Sequence, residues 1–140
     1  MFDDILVAVD GSEHGLHAAK LAGDLARAVK AQHLRIITVY DPIPSTLGEP
    51  NLSRTIGARL QETQAIFDET LKQVGESPAE IHTEMIEGQT AEKIVEVASI
   101  RNSDLIVMGS RGRSGLAGVL LGSNSQKVVS QAPCPVLIVR

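Results

Sequence analysis

Apolar positions fall into two spacings along this chain, and the two alternate. Ile5-Leu6-Val7-Ala8-Val9 is an unbroken apolar run that stops at Asp10-Gly11-Ser12. So short and continuous a run predicts a strand buried on both faces. Past Ser12 the spacing turns helical: Ala18, Ala22, Leu25 and Val29 recur at intervals of four, three and four. Leu34 to Tyr40 is β-branched and predicts a second strand, stopped by Asp41-Pro42-Ile43-Pro44. A loop then reaches about Leu52. Ile56, Leu60, Phe67, Leu71 and Val74 mark one face of a long second helix, closed by Gly75 and Pro78.

The second half repeats the rhythm. Residues 80–86 alternate as a strand, and the polar His82-Thr83-Glu84 predicts a sheet edge rather than its centre. Thr90 is placed to cap a third helix that turns Ala91, Ile94, Val95 and Ala98 inward. Residues 104–108 predict a buried fourth strand ended by Gly109, and residues 135–139 a fifth. Between them lie a glycine-rich loop to Leu121 and a helix from about Ser123 to Gln131. Five strands alternating with four helices predict an α/β fold: one parallel sheet, helices on both faces, Rossmann-like.

Crossovers between parallel strands are right-handed, and sites in such sheets sit at the strands' carboxyl ends where the order reverses. With strand order 3-2-1-4-5 the reversal lies between the first and fourth strands. It would join Asp10-Gly11-Ser12 to Met108-Gly109, where the most unusual loop of the chain begins.

Composition narrows this further. A length of 140 residues fits one domain over 1–140. Net charge is −4, with one Tyr, two Phe and no Trp, so the chain lacks the positive field and stacking surface of a nucleic-acid binder. No run approaches the roughly 20 apolar residues of a membrane span. The acidic Met1-Phe2-Asp3-Asp4 is unlike a secretory signal, and the single cysteine, Cys134, suits a reducing cytoplasm.

Residues 110–121 carry Arg111 and Arg113 among Gly112, Gly115 and Gly118, flanked by Gly109 and Gly122. Glycines let backbone N–H groups approach an anion, arginine forks match phosphate, and a helix start at Gly122-Ser123-Asn124-Ser125 favours negative charge. Together they describe a phosphate cradle. The competing reading is a capping box, Ser123-x-x-Gln126, in which Ser123 only caps the helix. No G-x-x-x-x-G-K-[ST] and no G-x-G-x-x-G follows a strand, so neither a P-loop nor a dinucleotide site is expected.

What stands there is Gly109-x2-Gly112-x9-Gly122-Ser123. It resembles the nucleotide signature G-x2-G-x9-G-[ST] of the universal stress protein family. The opening strand and turn 5–12, the fourth strand 104–109 and the closing segment 133–139 resemble that family in order and spacing. The intact motif resembles the family's ATP-binding members. The resemblance implies Ala8 and Asp10 at the adenosine end and the Val39 backbone at the adenine edge. It implies Met108 and Gly109 by the ribose, and Gly112, Gly122, Ser123, Asn124 and Ser125 around the phosphates. Arg111 and Arg113 occupy variable motif positions, so their phosphate contact rests on charge alone. A homodimer through the last strand, Val136 to Val139, is also implied; Pro133 and Pro135 argue against it by blunting that edge.

Catalytic groups are sparse. His14 and His17, at i and i+3, lack a further ligand at metal spacing and read as a solvated pair. Cys134 has no identifiable base and reads as apolar filler. Asp10 could hold Mg²⁺ beside a triphosphate or cap its own turn. Without a P-loop lysine, fast phosphoryl transfer has no machinery. The expected protein is a cytoplasmic ATP-binding regulator in which ATP, with Mg²⁺, orders the loop and shifts conformation or dimer form for a downstream partner. The alternatives are a slow Mg²⁺-dependent ATPase or phosphotransferase, and a nucleotide-free dimeric interaction module.

Overall fold

The computed structural model describes residues 1–111 and 121–140. Strands β1 (Asp4–Ala8), β2 (His33–Tyr40), β3 (Glu80–Glu87), β4 (Leu105–Gly109) and β5 (Val136–Val139) form one sheet of order β3-β2-β1-β4-β5. Every pairing is parallel, as the alternation of spacings predicts. Helices α1 (Glu13–Val29), α2 (Asn51–Val74), α3 (Thr90–Arg101) and α4 (Ser123–Gln131) supply the crossovers. A short 3-10 turn, Ser45–Leu47, precedes α2. None of the described helices is long and apolar enough to cross a membrane.

Each sheet face has its own core. Ile5, Val7, Leu34, Ile36 and Val107 pack under α1 and α2, with Ala18, Ala22, Phe67 and Val74. Leu6, Ile37, Ile106 and Met108 pack under α3 and α4, with Ile94, Ala98 and Val128. Alternate residues of one strand feed opposite cores, which is why β1 and β4 carry no polar alternation. Helix α1 buries Gly15, Ala18, Ala19, Ala22, Gly23 and Ala26, all small, because it lies between the sheet and α2.

Two local expectations need correction, whereas helix α2 starts at Asn51, directly after Pro50, in agreement with a loop reaching about Leu52. Its buried face is Thr63, Phe67, Thr70 and Val74; Ile56, Leu60 and Leu71 are exposed. The Thr70 hydroxyl is buried at no cost because it donates to the Ile66 carbonyl at 2.7 Å. Thr90 is the first helical residue of α3, with Gln89 at the cap position and no side-chain bond there. The edge position of β3 is as expected.

Candidate functional site

The sheet reverses direction at β1, whose neighbours are β2 and β4, so the crevice opens at the carboxyl ends of these strands. Ala8 and Met108 are direct register partners there, and Ala8 also pairs with Ile37 of β2. The β1–β2 ladder ends with the Val9 N–H donating to the Ile37 carbonyl at 2.9 Å. On the other side, Gly88 N–H donates to the Tyr40 carbonyl. The alternation of a parallel ladder therefore turns the backbone N–H and C=O of Val39 toward β1, into the space β1 vacates as it turns at Asp10. An adenine edge needs such an adjacent donor and acceptor.

The turn after β1 is tightly built. Gly11 has φ +83°, the left-handed region that favours glycine. Asp10 Oδ1 accepts from the Ser12 N–H at 2.9 Å, and Ser12 Oγ accepts from the Gly15 N–H at 3.2 Å, capping α1. Helix α1 then crosses β4 at backbone contact. A Cβ on Gly109 would lie 2.8 Å from the His14 carbonyl carbon and 3.0 Å from the Gly15 nitrogen. Glycine at 109 is thus a packing requirement of the switch point, whatever binds there.

The β4–α4 connection carries most of the motif. Ser110 N–H donates to the Val139 carbonyl at 2.7 Å, and Gly122 N–H returns to the Ser110 carbonyl at 2.7 Å. Ser125 is buried, and its hydroxyl donates to the carbonyls of Gly109 at 2.9 Å and Ser110 at 3.3 Å. It fastens the start of α4 to the end of β4. Ser123 does not cap α4. The cap position is Gly122, which has no side chain, and in place of the competing capping box Gln126 Nε2 donates to the Leu121 carbonyl at 3.0 Å. Ser123 and Asn124 are exposed in the first helical turn. The N-terminal end of α4, with its positive dipole end and no side-chain cap, faces the carboxyl ends of the strands.

His14 is the residue that apolar periodicity misses. Its ring stacks on that of His17 with centroids 6.4 Å apart, but it is half-buried rather than solvated, with Nδ1 2.8 Å from Ser110 Oγ and Nε2 3.4 Å from an Arg111 guanidinium nitrogen. A guanidinium only donates, so Nε2 accepts and the ring proton on Nδ1 goes to Ser110. His17 turns instead to the Arg140 carbonyl, 3.0 Å from its Nδ1. His14 thereby holds Arg111 beside the crevice. Gly112 and Arg113 lie outside the described residues.

Cys134 stands apart from this site, under the α4 face. Burial pushes its thiol above the ordinary value of 9.0 and the Asp104 carboxylate adds to this, against a backbone hydrogen bond at Ile106. The thiolate is the nucleophile, so iodoacetamide at pH 8 should alkylate native Cys134 at least ~10-fold more slowly than the urea-unfolded chain, read by mass spectrometry. Equal rates would show an ordinary thiol. The sign for stability follows: the folded state resists ionisation, so its advantage is complete below pH 9.0 and is lost as pH rises beyond it.

The fold is a doubly wound α/β domain whose glycine motif lies at the switch point of its sheet. The sequence model of the universal stress protein family matches residues 1–140, and the chain belongs to that family. It is 41% identical over 140 residues, all of both chains, to a universal stress protein of Thermus aquaticus. Among solved structures it resembles universal stress protein UspA of Lactobacillus plantarum, with TM-score 0.87 and 28% identity over 99% of this chain and 98% of that one. A universal stress protein solved in complex with cAMP matches with TM-score 0.73 and 29% identity, covering 99% of this chain and 97% of that one.

Proposed function

We propose that this chain is an ATP-binding stress-response regulator whose nucleotide occupies the crevice between β1 and β4. The observation that carries the reading is the α4 N-terminus: a glycine at the cap position supplies no side-chain cap to its N–H groups at the carboxyl end of β4, within the intact glycine motif. The Val39 backbone would take the adenine edge, Ala8 and Asp10 the nucleoside, and Met108 with Gly109 the ribose. Gly112, Gly122, Ser123 and Asn124 would surround the phosphates through backbone N–H groups. Ser125 would act from beneath, by fixing the turn. Arg111 and Arg113 favour a polyphosphate over a neutral ligand. Mg²⁺ on the triphosphate would supply charge neutralisation, and Asp10 is the carboxylate that would meet it.

Occupancy would bias conformation or dimer form by its differential affinity for the two states. A homodimer through β5 is supported by that strand's place at the sheet edge, where its outer backbone groups have no partner strand in the sheet. A cytoplasmic setting would keep Cys134 reduced. The decisive test is to purify the protein without added nucleotide, denature it, and identify released ligand by mass spectrometry. The stripped chain is then titrated with ATP and Mg²⁺ while heat and free phosphate are followed. Intact ATP at one equivalent per chain supports the switch. Continuing phosphate release would replace it with slow hydrolysis, and a chain indifferent to ATP would leave only an interaction module.

A further inference from the structure

At the opposite end of the sheet, the amino ends of β2 and β3 bring together three side chains that the nucleotide reading leaves unused. His33 and Glu80 are register partners, and His82, two residues along β3, shares their face. His33 Nδ1 lies 3.1 Å from His82 Nε2. Glu80 reaches both rings, with Oε2 3.7 Å from His33 Nδ1 and Oε1 3.8 Å from His82 Nε2. We infer that His33, Glu80 and His82 form a binding site for a divalent transition metal of the zinc type.

The geometry fits. Zinc–ligand bonds of about 2.0–2.2 Å in a tetrahedron put ligand atoms roughly 3.3–3.5 Å apart. The two ring nitrogens, 3.1 Å apart, lie close to that spacing, and one atom from each of the three residues lies within 4.8 Å of the others, so a turn of the exposed Glu80 carboxylate brings a single oxygen to both. Two histidines and one carboxylate supply three ligands and leave a fourth position for water. The imidazoles are set by paired strands, and the exposed glutamate can adjust. Their side chains are 33%, 36% and 68% exposed for His33, His82 and Glu80, so an ion can enter from solvent.

A cation on the neighbouring strand is already engaged. Arg35, register partner of His82, donates Nε to both Asp4 carboxylate oxygens at 2.9 and 3.1 Å. Asp4 is held in turn by Ser103 Oγ at 3.2 Å. That pairing offsets the repulsion Arg35 would otherwise exert on a second cation. A metal here would fasten edge strand β3 to β2, on elements separate from the α4 N-terminus.

The probe is Zn²⁺ alone, titrated calorimetrically into chelator-stripped full-length protein against a competing chelator. One equivalent per chain is expected. His82→Asn should weaken binding roughly 100-fold, since disturbing even outer-shell partners of metal ligands costs about 10–100-fold. The double variant His14→Asn/His17→Asn and the single variant Gly122→Val should bind as the parent does. A parent without stoichiometric binding, or a His82→Asn chain that binds equally well, overturns the site. Should His82→Asn fail to fold, imidazole NMR of the parent decides: Zn²⁺ must shift the His33 and His82 ring resonances, and shifts confined to His14 and His17 overturn the inference.

Discussion

Gly122→Val is expected to abolish the thermal stabilisation that ATP gives the parent chain while leaving the apo fold intact. A residue at the helix cap position places its side chain over the N–H groups of the second and third helical residues. Glycine places no side chain over those groups on α4, and valine would cover them with hydrocarbon where phosphate oxygens are proposed to approach. The apo fold tolerates the change. Gly122 has φ −67° and ψ 164°, open to any residue, and a Cβ there would make ordinary contacts at 3.5 and 3.7 Å to Ser110 and Arg111. Its cost to the apo chain is about 1 kcal/mol or less.

The effect on binding should be far larger. ATP at 100 times its Kd stabilises the parent by about 2.7 kcal/mol. For a domain of this size that is a rise in Tm of roughly 10 °C. The rise should vanish in Gly122→Val, as seen by thermal melts with and without ATP and Mg²⁺. Gly122→Asp separates the two demands more sharply. Its carboxylate caps the helix and suits the dipole, so the apo Tm should hold or rise while ATP binding is lost. Unchanged ATP affinity in both variants would remove the phosphate cradle.

The parts of this molecule that were legible from sequence are those where burial leaves an apolar trace. β1 and β4 read clearly because both of their faces feed a core, and β3 because its outer position leaves it half polar. The first half of α2 left a misleading trace. Ile56 and Leu60 are spaced like core residues yet exposed, because α2 meets α1 only through its later turns. Pro50 was the better signal for that helix start, since proline is favoured at the start of a helix and excluded from its interior. Polar partnerships left no trace at all. The His14–Ser110 bond spans 96 residues and the His33–His82 contact 49; the packing of α1 on β4 brings the first pair together and the β2–β3 register the second. At α4 the competing reading, a Ser123 cap, gives way because Gly122 before it takes the cap position, and no local pattern distinguishes a capped helix start from one without a side-chain cap.

Gly109→Ala should be among the most destabilising single-methyl changes in the chain. Its Cβ would meet α1 backbone at 2.8 and 3.0 Å and the His14 Cβ at 2.9 Å, and a helix cannot yield as a flexible side chain does. Overpacking of this kind costs about 1–3 kcal/mol, and here the upper part of that range is expected. Urea denaturation should show the midpoint falling with the slope unchanged. Gly23→Ala provides the comparison: its Cβ would lie 2.6 Å from the Val74 carbonyl oxygen, where α1 crosses α2, well away from the carboxyl ends of the strands. Both variants should lose similar stability, but their nucleotide behaviour should part. Moving α1 off Gly109 displaces the Asp10–Ser12 turn and pulls His14 from Ser110 and Arg111, so ATP affinity should fall well below the parent's at temperatures where the variant is still folded. Gly23→Ala leaves that end of α1 anchored by Ser12 and should bind ATP as the parent does. Equal affinity in both variants would mean that the α1–β4 contact serves the fold alone. A loss confined to Gly109→Ala would show that one close backbone approach sets both the packing of the switch point and the shape of what it holds.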